Sequence, residues 1–327
     1  MKLIIQIPCW NEEQSLPVTL AALPREVAGF AQVERLVIDD GSSDRTVEVA
    51  RAHGVEHVLR LVTHQGLARA FERGLQEAIR LGADVVVNTD ADNQYSADDI
   101  PALCAPILAG QAEVVVGDRD VPNLAHFSWL KKKLHGVGSY VVRVASGTEV
   151  PDAPSGFRAF SRRAVLRLSV HSDYTYTHET LIQCGRKDLP VVSVPIRVNP
   201  QLRPSRLFRS IPRYVLRSAN TIARIYLLYN AFRVLARLGL LALALSGALL
   251  ALHVGLGPAA RPGALLLWGA GGALFVASQL FLSAVLADLL AVNRRLQEEA
   301  LAHLRALRFG EGAGEGAAQA PPRSEAT

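Results

Sequence analysis

Two apolar runs, Leu238–Gly257 and Gly263–Ala287, constrain this chain more than any other feature. No Asp or Glu falls between Leu238 and Ala287. Crossing a bilayer takes about 20 apolar residues, and each run meets that length. Only Pro258-Ala259-Ala260-Arg261-Pro262 separates them, so the pattern predicts a helical hairpin with both ends on one side. Arg233, Arg237, Arg294 and Arg295 flank the outer ends, whereas the turn carries only Arg261. That asymmetry puts both ends in the cytoplasm. Met1–Pro8 is too short an apolar stretch for a secretory signal and reads as a strand. The expected location is therefore the cell inner membrane, multi-pass, with the N-terminal region cytoplasmic. Cys9, Cys104 and Cys184 are odd in number and far apart. They make neither a disulfide framework nor a metal spacing, which fits a reducing compartment.

The segment before the hairpin is basic. Arg203, Arg206, Arg209, Arg213, Arg217, Arg224, Arg233 and Arg237 occur there without one acid, and Ile211, Val215, Ile222, Ile225, Leu228 and Phe232 recur at roughly helical intervals. An amphipathic helix lying on a membrane is expected. The charge is local, since the net charge of the whole chain is only +5. It points to membrane lipid and phosphate, with no nucleic acid as partner. The chain divides into an α/β domain (1–202), a basic loop and interfacial helix (203–237), two transmembrane helices (238–290), and a short helix with a disordered tail (291–327).

Within the first unit, Lys2–Ile7, Val33–Ile38, His57–Leu61, Asp84–Asn88 and Glu113–Gly117 read as strands. Helical stretches begin near Glu12, Ser43, Gly66 and Ala97. This alternation implies βαβ units and a mainly parallel, Rossmann-like sheet. Ligands in such sheets bind beyond the carboxyl ends of the strands. The chemically informative residues fall there. Thr89-Asp90-Ala91-Asp92-Asn93-Gln94 leaves one strand with two carboxylates able to turn toward one hard cation, Mg²⁺ or Mn²⁺, which favours oxygen ligands and keeps phosphates in its shell. Asp39-Asp40-Gly41-Ser42-Ser43-Asp44 leaves a second strand. Its first two acids can accept hydrogen bonds from a base or ribose, while Ser43 and Asp44 suit helix capping. Pro8-Cys9-Trp10-Asn11-Glu12-Glu13 leaves the first strand, and Glu12 and Glu13 suit a helix N-terminus.

Taken in order, Pro8-x-x-Asn11-Glu12, Asp39-Asp40-Gly41-Ser42-x-Asp44, Gly66-x-x-x-Ala70 and Asp90-Ala91-Asp92-x-Gln94 resemble glycosyltransferase family 2, with its GT-A fold. The chain looks most like the dolichyl-phosphate mannose synthase and polyprenyl-phosphate glycosyltransferase branch. Ser155-Gly156-Phe157-Arg158-Ala159-Phe160 adds support, and Leu202-Arg203-Pro204-Ser205-Arg206-Leu207 matches the branch's basic loop more loosely, with Arg206 in place of Lys. The resemblance covers about residues 1–235. It implies that Pro8, Asn11, Glu12, Asp39, Asp40, Asp90 and Ala91 hold the nucleotide. Asp90, Asp92 and Gln94 would surround the metal. Arg119, with Lys132 of the Lys131–Lys133 run assisting, would bind an acceptor phosphate, and Arg203 and Arg206 would close over the phosphates. Glu179 lies where relatives place an acid that deprotonates a sugar hydroxyl, although a phosphate acceptor is already ionised and needs little base.

The function implied is inverting transfer of a hexose from a nucleotide diphosphate sugar, of GDP-mannose or UDP-glucose type, to a polyprenyl phosphate. Two alternatives remain at this point: transfer to another lipid or sugar hydroxyl, and a non-catalytic, membrane-anchored sugar-nucleotide-binding protein. The Gln-x-x-Arg-Trp element of processive relatives is absent, which disfavours polysaccharide synthesis. A homo-oligomer is compatible with all of this.

Overall fold

A computed structural model describes residues 1–123, 129–170, 176–200, 211–256 and 263–309. Among the described residues seven strands form one sheet, in the order β3-β2-β1-β4-β6-β5-β7. They are β1 (Lys2–Cys9), β2 (Gln32–Asp39), β3 (His57–Arg60), β4 (Val85–Asn88), β5 (Val114–Asp118), β6 (Arg158–Ser161) and β7 (Val191–Pro195). All neighbours pair in parallel except β6, which runs antiparallel between β4 and β5. The Ser155–Phe160 motif runs into β6, but the sequence carries no sign of where that strand inserts. The reversal of strand order lies between β1 and β4, so the crevice that such sheets use for ligands opens at the ends of those two strands.

Alternation along each strand sorts side chains to two cores. Leu3, Ile5 and Ile7 of β1 join Val37, Val85 and Val115 on one face, under α1 (Leu16–Ala22), α2 (Thr46–Ala52) and α4 (Ile100–Leu108). Ile4 joins Ile38, Val86, Val114 and Val116 on the other. That face is covered by α3 (Leu67–Arg80), α5 (Trp129–Ser146), α6 (Arg162–Arg167) and α7 (Thr177–Arg186). Helices α1 and α2 begin about three or four residues later than the expected Glu12 and Ser43, because residues between make loop hydrogen bonds at the strand ends instead. At the expected Ala97 a 3-10 turn, Ala97–Asp99, leads directly into α4.

Two long helices follow, α8 (Ile211–Leu256) and α9 (Gly263–Phe309). The expected interfacial helix and first span are one helix, interrupted by non-helical backbone at Asn230. From Asn230 to Leu256, and again within α9, they are long and apolar enough to cross a membrane, with most side chains exposed rather than buried in protein. Gly263, Ala270, Ala277 and Ala284 are buried at seven-residue spacing along α9. Small residues in that register let two helices approach closely, and Ser246 Oγ donates to the Ala270 carbonyl at 2.8 Å.

Helix α9 continues past its apolar part to Phe309, so the short helix expected near Gln297–Phe309 is its extension. No Gly or Pro interrupts it, and Arg294–Glu298 and Arg295–Glu299 pairs support it. This extension docks on the α/β domain. Lys187 pairs with Glu298 at 3.0 Å, Arg305 donates to the Leu168 carbonyl, and Arg162 donates to the Phe309 carbonyl. The tail from Gly310 lies outside the described residues.

Candidate active site

The exits of β1 and β2 are tied together before either meets a ligand. Asn11 adopts a left-handed φ of 55°, which a short polar side chain tolerates. Its amide donates to Ser42 Oγ and its side-chain oxygen accepts from the Ser43 amide, both at 2.9 Å. The Glu12 amide donates to Thr46 Oγ1 at 2.9 Å, and its carboxylate accepts from Ser15 Oγ. Asp44 accepts from the amides of Thr46 and Glu13. Gly41 also has positive φ, and a Cβ there would come within 2.8 Å of the His64 backbone nitrogen. The tight turn therefore requires glycine.

The adjacent acids of β2 behave differently. Asp39 is fully buried; one oxygen accepts from the Ser42 amide at 3.1 Å and the other lies 3.3 Å from Arg60 Nε. Both Asp40 oxygens accept from the chain itself, from the amides of Gln65 and Gly66 at 2.8 Å each, and His64 Nδ1 lies 2.8 Å from one of them. Asp40 thus holds the approach to α3. The His64 ring in turn stacks on exposed Trp10 at 4.2 Å.

Beyond β4, Asp90 and Asp92 stand half exposed on the turn. The Ala91 carbonyl is fixed by Thr19 Oγ1 at 2.9 Å, and Asp92 Oδ1 accepts from the Gln94 amide at 3.2 Å. Asn199 anchors the segment after β7 to this same turn, donating to the carbonyls of Gln94, Asn93 and Tyr95. The root of the basic loop is therefore beside Asp92, although Arg203 and Arg206 lie outside the described residues. Among the described residues no three acidic, His or Cys side chains converge as a metal cage.

Four carboxylates still gather around the end of β1. The Cys9 thiol is pushed well above its ordinary range by burial and then by the charges of Glu12, Asp39, Asp44 and Asp90. Tyr95 and Tyr176 are also pushed up, by burial first and Asp90 second.

Arg119 follows β5. Its Nε and Nη2 grip Asp152 at 2.7 and 2.8 Å, a two-point pairing in which Nη1 takes no part. His135 Nε2 lies 2.8 Å from the same carboxylate. Burial opposes ionisation of Asp152, but Arg119 and His135 outweigh it and hold the carboxyl well below the usual range. Lys132 reaches the Pro122 carbonyl at 2.7 Å, which places its charge beside the β5 exit. Glu179 is buried in the first turn of α7, with Gln183 Nε2 at 3.4 Å.

Several contributors escaped the sequence reading. Gln6 donates to Asn88, and Asn88 donates to the Gly156 carbonyl and to the Tyr176 hydroxyl, all within 2.9 Å. Two polar residues inside apolar strands were the available signal. Arg158 is completely buried and donates to the carbonyls of Ala153, Ser155 and Thr177 and to Thr180 Oγ1. It ties the loop before β6 to the start of α7. Gly156, in that loop, sits so near Asp90 that a Cβ would lie 3.3 and 3.4 Å from its two oxygens.

His178, beside Glu179, is held down to about 4 by burial and then by the charges of Arg158 and His135. An unfolded His titrates near 6.5. Above that value both states are neutral. Between about 6.5 and 4 only the unfolded chain binds the proton, so stability falls as pH falls, by on the order of 3 kcal/mol across the window. Thermal unfolding at pH 7 and pH 4.5 should register this loss, and His178→Leu should shrink it.

The sequence pattern described as Glycosyl transferase family 2 matches residues 4–168. The chain is 31% identical to an undecaprenyl-phosphate mannosyltransferase of Micrococcus luteus, covering 60% of this chain and 83% of that one. It is 30% identical to a UDP-N-acetylglucosamine–dolichyl-phosphate N-acetylglucosaminyltransferase of Methanococcus voltae, over 58% and 83%. Among solved structures it is similar to glucosyl-3-phosphoglycerate synthase of Mycobacterium tuberculosis, with a TM-score of 0.52, 21% identity, and coverage of 68% of this chain and 79% of that one. That likeness establishes the GT-A fold.

Proposed function

Because this chain belongs to glycosyl transferase family 2, we propose that it moves a hexose from a nucleotide diphosphate sugar to a polyprenyl phosphate at the cytoplasmic face of a membrane. One observation carries this reading. The acids leaving β1, β2 and β4 and the Arg119 cluster leaving β5 lie at one edge of the sheet, with the charge of Asp90 acting on Arg119, in a domain docked on a hairpin long enough to span a bilayer. The names of the related lipid-phosphate transferases support the acceptor class.

The donor's nucleoside would lie over the β1 and β2 exits, against Pro8, Asn11, Glu12 and Asp39, with the Ala91 backbone as floor. Asp40 shapes this surface through its amide bonds rather than touching the ligand. The donor set also fits a divalent ion. Asp90 and Asp92 offer only oxygen, and the missing side chain at Gly156 leaves room beside the Asp90 carboxylate. Two carboxylates, with Gln94 adjacent, leave most of the coordination shell to a diphosphate, which suits Mg²⁺ or Mn²⁺. When bound, the ion stabilises negative charge on the departing diphosphate. Arg119 Nη1 and Lys132 hold the acceptor phosphate, whose oxygen attacks the anomeric carbon as the bond to the diphosphate breaks. Displacement in one step inverts that centre. Arg203 and Arg206 would neutralise the phosphates from the loop rooted at Asn199.

Purified protein in lipid, given GDP-mannose or UDP-glucose, Mg²⁺ or Mn²⁺ and undecaprenyl phosphate, should form a labelled polyprenyl-phosphate sugar. No labelled lipid with any nucleotide sugar would overturn the reading. Glu179→Gln separates the acceptor classes. An ionised phosphate needs no base, so turnover should stay within about tenfold of the parent. Complete loss in a folded variant would instead identify a hydroxyl acceptor.

A further inference from the structure

The bonds that dock the α9 extension converge on one buried side chain. Glu298 pairs with Lys187 at 3.0 Å, and Arg294 Nε stands 3.3 Å from the same carboxylate. Lys187 Nζ also donates to Gln183 Oε1 at 3.3 Å. Two turns further along α9, Arg305 Nη1 donates to Ser169 Oγ at 3.2 Å, and the Ser169 amide in turn donates to Gln183 Oε1 at 3.1 Å. Gln183 is 1% exposed. Its Nε2 donates to the Ser169 carbonyl and to Glu179 Oε1, the latter at 3.4 Å. Glu179, Gln183 and Lys187 follow one another at steps of four, so they stand in a row along α7. With donors at its oxygen and acceptors at its nitrogen, the buried amide has one orientation that satisfies both ends.

We infer that the α9 extension is a positioning element of the active site: through Lys187 and Ser169 it orients Gln183, and Gln183 holds the Glu179 carboxylate in place. The other span grips the same end of α7. Arg186 donates to Asn230 Oδ1 at 2.6 Å, where non-helical backbone interrupts α8. The last turn of α7 is thus tied to both long helices. Its first turn carries Glu179, together with the Thr177 carbonyl and Thr180 hydroxyl that Arg158 binds. A short helix transmits displacement as a rigid body, so the hairpin fixes where that first turn lies.

Docking alone does not call for this arrangement. Ala306 and Phe309 already pack on the apolar core. A mostly buried ion pair does little more than offset its own desolvation. What Glu298 and Arg305 add is direction, since both lead to the amide beside Glu179. The consequence for turnover rests on the proposed function, in which Glu179 lines the site without acting as an essential base.

Glu298→Lys and Arg305→Met, each made in the full chain in lipid, release Gln183 by separate routes. Each should lower kcat about fivefold and leave KM for the nucleotide sugar within about twofold of the parent. In a Glu179→Gln background the same changes should cost less than about twofold, because residues that act through one another are not additive. Equal losses in both backgrounds would make α9 a purely stabilising strap and overturn the inference. Parent-like turnover in either variant overturns it too. Hydrogen exchange reads the coupling without any chemistry. The amides of Thr180 and Leu181 should exchange about fivefold faster in Glu298→Lys, with those of α4, on the opposite face of the sheet, unchanged. Parent-like exchange in α7 also overturns the inference. If the parent transfers no sugar, or Glu179→Gln is inert, the functional reading fails, while exchange in α7 still decides the role of α9.

Discussion

Asp92→Ala is expected to lower sugar transfer about a thousandfold while the fold stays intact, equivalent to about 4 kcal/mol of transition-state stabilisation. Removing one carboxylate from the proposed two-carboxylate site would leave only Asp90 and the substrate to hold a divalent ion. Charge on the departing diphosphate would then lose its main counterweight. Structural cost should be small, because Asp92 is half exposed and its described contact is one bond from the Gln94 amide. Unfolding temperature should therefore hold within about 2 °C of the parent, given roughly 0.5 kcal/mol for a surface change. Binding of UDP or GDP measured calorimetrically with Mn²⁺ should weaken in parallel. A variant with near-parent turnover would remove Asp92 from the proposed metal site.

Asp90 and its neighbours also mark what a sequence can place and where it stops. Strands betray themselves by apolar runs, and the residues just beyond them by acids that no core would accept. Hence the exits of β1, β2 and β4 were legible, and so was the hairpin. The partners of Asp40 were not, because they are amides at Gln65 and Gly66, far along the chain. Asp152 was missed for the same reason. In sequence it is one acid in a Pro-containing turn; in space it is the counter-charge of Arg119. The insertion of β6 between β4 and β5 leaves no local signature, since pairing partners are chosen by the whole sheet. The extension of α9 was split from its span because hydropathy changes at Asp288 although helix propensity does not.

Arg158→Met should be the most damaging change away from the carboxylates, and it shows why a motif can matter without touching substrate. The guanidinium is completely buried, and burial pulls its pKa below the usual arginine value. Methionine fills much of the volume and relieves that desolvation. Against this, the Ala153 and Ser155 carbonyls and Thr180 Oγ1 lose their donor, at about 1–3 kcal/mol for each group left unpaired, while the Thr177 carbonyl keeps the Thr180 hydroxyl. The balance falls on destabilisation, about 3 kcal/mol, or roughly 10 °C in unfolding temperature for a domain of this size. Activity should fall further than folding does. The lost bonds hold Ala153 and Ser155, next to Gly156 and the Asp90 carboxylate, and they hold the turn of α7 that carries Glu179. At a temperature where the variant is fully folded, transfer should still be reduced about a hundredfold, the scale on which misplacing a site by about 1 Å acts. Arg158→Lys discriminates between charge and geometry. One ammonium cannot reach acceptors on both sides of the planar fork, so it should regain part of the stability and little of the turnover. Parent-like unfolding and turnover in Arg158→Met would mean that the loop before β6 is positioned by Asn88 and Tyr95 alone.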